Sequence, residues 1–156
     1  MEVCLTKTLL TRRNEDMVVV LSLIDLGNGH FAIERRTVNR KYKQNTFTLK
    51  PFNTRIAAEG IYGNELIALR IENWIDLESD QYEGKLKVFH IGDNTFLLSP
   101  DELPTVVCSI SRPDFDKGIE YILHDVAHDG YLLIENNYGE KVNCQPDGFI
   151  PSLSKV

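Results

Sequence analysis

The chain has 156 residues, of which 42% are apolar, 26% charged and 9% aromatic, and its formal net charge is -6. That apolar share is too high for a disordered chain, and ten glycines with six prolines exclude collagen-like and proline-rich architectures. The length predicts one globular domain over residues 1–156. The charge is unevenly placed: residues 1–50 carry nine basic against five acidic side chains, a net of +4, and residues 51–156 carry eight against eighteen, a net of -10. A bipolar chain, unlike a uniformly acidic one, stays open to polyanionic partners.

Along the chain, residues 17–26 are dominated by β-branched side chains with little alternation, which predicts a strand buried on both faces. Gly27-Asn28-Gly29 then reads as a tight hairpin turn, with residues 30–38 as the returning strand. A polar, basic loop over 39–45 leads to a short strand over 46–50, with Phe47 read as a core residue, and Pro51 ends it. Asn53 or Thr54 is placed to cap a short helix through about Ile61, kept short by Gly60 and Gly63. Residues 65–76 fit strand and helix alike; alternation of Ile67, Leu69 and Ile71 favours a strand, with Trp74 as a core or rim plug. After an acidic loop over 77–84, a hairpin is predicted around Gly92-Asp93-Asn94, followed by a strand over 106–110.

Residues 112–129 read as the clearest helix: Ser111 and Asp114 resemble a capping box, and Phe115, Ile119, Ile122, Leu123 and Val126 form one apolar stripe. A last hairpin turns at Asn136–Gly139, and the tail 145–156 shows no periodicity. The sum is an α+β fold: a largely antiparallel sheet of about seven or eight strands, one well-defined amphipathic helix and a second short helix.

The three widely spaced cysteines, Cys4, Cys108 and Cys144, form no CxxC pair and are too sparse for a disulfide-stapled domain. The N-terminal residues lack signal-peptide order, and the most apolar run, 17–24, is far shorter than the roughly 20 residues a spanning helix needs. The expectation is a cytoplasmic protein without a membrane anchor.

Three constellations bear on function. Acidic residues Glu72, Asp76, Glu78, Asp80 and Glu83 surround Trp74 and Tyr82, a composition suited to steering and anchoring a basic protein partner. Arg35, Arg36, Arg40, Lys41, Tyr42 and Lys43, with Phe47 and Lys50 downstream, combine cations for phosphates with aromatics for base stacking. His124 and His128, four apart with Glu120 one turn earlier, have the spacing of a helical metal pair, although on the expected helix both point away from the apolar stripe.

GxGxxG, GxxxxGK[ST] and GxSxG are all missing, so neither standard glycine-rich nucleotide loop nor a nucleophile elbow is indicated. The sequence therefore favours a non-catalytic, inhibitor- or immunity-like factor that needs no cofactor and binds a protein through Trp74, Asp76, Glu78 and Tyr82. Nucleic-acid binding through residues 35–50 stands second, and a metal-dependent hydrolase using His124 and His128 third.

Overall fold

Pairing begins at the N-terminus and runs through four strands before any helix forms. β1 (Val3–Thr11), β2 (Met17–Gly27), β3 (His30–Asn39) and β4 (Gln44–Phe52) make an antiparallel meander; α1 (Arg55–Ile71) follows, and the two-residue β5 (Ile75–Asp76) returns to β1. The order across the sheet is β4-β3-β2-β1-β5. The computed structural model describes residues 2–42 and 44–156, so Lys43 of the basic segment lies outside the described residues.

β2 is the central strand, and every residue from Val18 to Ile24 is buried, as its unbroken apolar run requires. The turn into β3 has φ of 54° at Asn28 and 78° at Gly29, the positive pair of a type I′ hairpin. β1 carries little apolar signal because only its last three residues, Leu9, Leu10 and Thr11, are buried.

One helix replaces the expected short helix and strand. Thr54 is the cap, its side chain accepting from the Ala57 N–H at 3.2 Å, but α1 continues past Ile61 to Ile71. Ala58, Tyr62 and Leu69 share its inner face, a helical spacing that extends through the stretch read as alternating. The stop signal is Asn73, at φ 68°: the Trp74 N–H reaches the Leu69 carbonyl at 3.0 Å and the Asn73 N–H the Arg70 carbonyl at 3.1 Å, closing the last turn as a glycine would.

Tyr62 ties this helix to the sheet. Its hydroxyl donates to the Leu21 carbonyl at 3.0 Å and lies 2.7 Å from Thr8 Oγ1. Burial raises its pKa above 10.0, with the Thr8 hydrogen bond opposing. A raised folded-state pKa means that this contribution is fully present below the unfolded value near 10 and is lost as pH climbs through the folded one. Alkaline titration of stability is therefore expected to show a decline above pH 10 that Tyr62→Phe reduces, while Tyr62→Phe itself costs about 1 kcal/mol at pH 7 through the lost hydrogen bond.

Residues 85–156 fold differently. β6 (Lys87–Ile91) and β7 (Asn94–Leu98) form a hairpin, followed by β8 (Thr105–Cys108), β9 (Glu120–Val126), β10 (Leu132–Glu135), β11 (Lys141–Cys144), β12 (Phe149–Pro151) and β13 (Ser154–Lys155). They make a sheet of order β11-β10-β9-β8-β12 and a three-stranded sheet of order β13-β7-β6.

The helix expected over 112–129 does not form. Residues 112–115 make a tight turn closed by reciprocal Arg112 and Phe115 backbone bonds of 3.0 and 3.2 Å, and Gly118 adopts φ 85°, which no helix accommodates. Beyond it, Tyr121 and Leu123 alternate inward in β9, so the apolar spacing resolves with period two. The tail is likewise ordered: β12 pairs with β8 and β13 with β7, and Phe149, Leu153 and Val156 are buried.

The chain divides into two compact units, Met1–Gly84 and Lys85–Val156. Each has its own core: Leu21, Leu23, Ile33, Ala58 and Tyr62, with Leu10, Val19, Leu69 and Trp74, in the first; Phe115, Tyr121, Leu123, Leu132, Ile134 and Phe149 in the second. The fold is α+β, with antiparallel sheets and one helix. Among the described residues it has thirteen strands; β1, β5, β9, β12 and β13 are additions to those read from sequence. No described helix is long and apolar enough to cross a membrane. Division by units also changes the charge picture: eleven basic and twelve acidic residues leave the first unit at -1, and six against eleven leave the second at -5.

Candidate interaction surfaces

The acidic-aromatic segment loses its principal anchor to the core. Trp74 is only 8% exposed, packed with Leu10, Val19 and Leu69 under the Arg12 guanidinium, which lies 4.7 Å from the ring centroid. Asp76 shapes a turn, its carboxylate accepting from the Glu78 N–H at 2.9 Å and its carbonyl from Ser79 Oγ at 2.8 Å. Tyr82 is half-buried and donates to the Glu15 carboxylate. Glu78, Asp80 and Glu83 are exposed, but the ring meant to anchor among them is not.

Strand alternation separates the basic residues. Arg35 stands opposite Leu21 and Thr48 on the sheet face that α1 covers, whereas Arg36 stands opposite Phe47 on the reverse face and pairs with Glu34 at 3.2 Å. Arg40 fastens the β1–β2 turn, donating its backbone N–H to the Asp16 carbonyl at 2.7 Å and its guanidinium to the Glu15 carbonyl. Lys41 and Tyr42 occupy an exposed turn held by Asn39 Oδ1, with the Lys41 ammonium 5.5 Å from the Tyr42 ring centroid. Lys50 Nζ meets Glu65 Oε1 at 2.9 Å beside a cavity of about 290 Å³ lined by Ile33, Arg35 and Thr48.

β4 itself is the feature that composition did not reveal. It is the edge of its sheet, paired with β3 on one side only, and all of Gln44–Pro51 is exposed. Phe47, read as core, is 66% exposed and its face-mate Leu49 is 49% exposed. The usable signal was alternation: Phe47, Leu49 and Pro51 fall on one face and Thr46, Thr48 and Lys50 on the other, the pattern of a half-polar edge strand.

The histidine pair is not a helical pair. His124 lies on β9 with Nε2 3.6 Å from Glu135 Oε1, and His128 lies in the turn after it. His128 instead shares an open cleft of about 570 Å³ with His90, Asp125 and Asp129, and His124 is not among its lining residues. Both aspartates already accept backbone N–H groups, from Val126 at 2.8 Å and Tyr131 at 3.1 Å. Glu120 accepts from Thr105 Oγ1 at 3.3 Å. Among the described residues no group of three His, Cys, Asp or Glu side chains is gathered to hold a metal.

Cys108 and Cys144 are buried free thiols in the second core, and Cys4 is an exposed one. Burial pushes the Cys144 thiol up, against the opposing pull of Arg112, which leaves it less reactive than an ordinary surface thiol. No protein-family model matches the chain, and no curated protein or solved structure matches it significantly.

Proposed function

We propose that this chain is a non-catalytic, cytoplasmic protein-binding factor, inhibitor- or immunity-like, that takes an extended segment of its partner along β4. The observation supporting this reading is the exposure of β4 from Gln44 to Pro51, with Phe47 and Leu49 uncovered on one face. An unpaired strand edge offers alternating N–H and C=O groups that an added strand satisfies, and apolar side chains beside that edge supply the desolvated contacts. Arg36 beside Phe47 and Lys50 on the other face favour a partner segment that alternates apolar with acidic residues.

The same surface supports a second reading. Phe47 is open to solvent and stands opposite Arg36, with Lys41 and Tyr42 exposed in the adjoining turn, an arrangement that suits base stacking beside a phosphate contact.

Affinity purification from the native host, with and without nuclease, separates the two. A nuclease-resistant protein partner is expected, its recovery falling at least about tenfold in the Phe47→Glu, Leu49→Glu double variant, as the loss of one ~2 kcal/mol hot spot predicts. Both side chains are exposed, so circular dichroism of the variant should match that of the parent. Undiminished partner recovery in the variant would overturn the β4 assignment. Retention that disappears with nuclease and weakens with salt would transfer the surface to nucleic acid.

A further inference from the structure

The outer face of α1 carries a row of uncovered isoleucines. Ile56, Ile67 and Ile71 are 85%, 55% and 76% exposed, while the opposite face of the helix buries Ala58, Tyr62 and Leu69. At 3.6 residues per turn, Ile56, Gly60, Gly63, Ile67 and Ile71 fall within about 80° of one another, forming one stripe. A Cβ on either Gly60 or Gly63 would meet nothing within 4 Å. Neither glycine is therefore required by packing inside this chain, although glycine is the poorest helix former after proline.

The stripe is complementary to itself when reversed. Its midpoint lies between Gly63 and Asn64, so an antiparallel second copy sets Ile56 against Ile71 and Ile67 against Gly60, twice each by symmetry. A missing Cβ makes a seat for the facing isoleucine and lets the two backbones approach closely. Charge follows the same order, because Glu59 and Arg70 flank one side of the stripe and reversal brings Glu59 of one copy beside Arg70 of the other. A parallel arrangement would instead oppose Ile67 to Ile67 and Gly60 to Gly60. Glu59 now pairs with Arg55 at 2.6 Å, in a solvent-exposed pair that can rearrange.

We infer that the chain self-associates as a two-fold symmetric dimer through antiparallel packing of α1, with Ile67 seated on Gly60 and Glu59 paired with Arg70. This surface is the helix face turned away from the sheet and is separate from the outer edge of β4. The interface is short, about 25 Å of helix, and belongs among weak, concentration-dependent ones.

Sedimentation velocity of the full chain from about 1 to 500 µM, the span over which such interfaces dissociate, tests this. The parent is expected to pass from monomer to dimer mass, and Ile67→Glu to remain monomeric with an unchanged circular dichroism spectrum. Glu59→Arg and Arg70→Glu should each weaken association severalfold, and combining them should restore it, since reversal preserves the antiparallel pair.

Gly60→Ala gives two readouts of opposite sign. It should raise the thermal midpoint of the dilute monomer and weaken dimerisation about tenfold. The Phe47→Glu, Leu49→Glu variant should dimerise normally, which keeps failure of the β4 reading distinct from failure of this one. A parent that stays monomeric throughout, or that binds anionic lipid vesicles in place of itself, overturns the proposal. So does a dimer that survives Ile67→Glu, or a charge reversal that is not rescued.

Discussion

Trp74→Ala is expected to unfold much of the first unit, not to strip a partner from an intact surface. Truncating a buried aromatic costs about 3–5 kcal/mol, a large part of the stability available to a domain of this size. A fall in the thermal midpoint of about 15 °C or more follows. The ring fills the space between Leu10 and Val19 of the sheet and Leu69 of α1, so its removal opens a cavity where the helix end meets β1 and β2. Trp74→Phe should retain most of the packing, and Arg12→Met should lose the cation–π contribution of about 0.5–1 kcal/mol together with an exposed ion pair to Glu72. Trp74 is the sole tryptophan, so its fluorescence reports on the first unit in the parent, while circular dichroism is the readout for the alanine variant. A melting curve unchanged to within about 0.5 kcal/mol would show that the ring is a surface residue after all.

Phe115→Ala should be comparably damaging in the second unit. Phe115 is 4% exposed and stands edge-on to both Tyr121, at 5.0 Å, and Phe149, at 5.2 Å. Losing the ring costs about 3–5 kcal/mol by cavity formation, with the two aromatic pairs contributing about 0.5–1.5 kcal/mol each within that loss. Urea unfolding followed by circular dichroism measures the loss as a lower transition midpoint. His124→Ala and His128→Ala, both outside this core, should stay within about 0.5 kcal/mol of the parent. Gly118→Ala reports on the backbone by its sign. In a helix alanine would stabilise by about 1 kcal/mol, but at φ 85° it strains the turn and destabilises by a similar amount or more.

The parts of the fold legible from sequence were those whose signal is local. Asn28-Gly29 specifies its hairpin through backbone conformation alone, and Gly92 does the same for β6–β7, whose strands meet at Ile91 and Asn94. Residues 18–24 announce a central strand because both faces must be apolar. Where two periods fitted the same apolar residues, local punctuation decided the outcome. Asn73 ended a helix that Gly60 and Gly63 did not interrupt, and Gly118 broke the stripe that Phe115 through Val126 otherwise completed.

The candidate surfaces were less legible still, because exposure depends on which strand lies at the edge of a sheet. Phe47, read as core, is left open on β4 for that reason, whereas Trp74, read both as a core or rim plug and as a partner anchor, takes the core position beneath α1. The cluster of basic residues was dispersed by strand alternation, which no count of charges along the chain reveals.

The open β4 strand also has a consequence for handling the protein. Gln44–Leu49 combines threonines, Phe47 and Leu49 with no charge, a composition prone to stacking copy upon copy into fibrils when left uncovered. Lys50 and Pro51 stand at the end of that run: a cation that repels a like neighbour, and a residue with no N–H to give to the next strand. Solubility during storage and concentration therefore depends on two residues that contribute little to the core, and a ligand seated on β4 would act as a shield against aggregation as well as a partner.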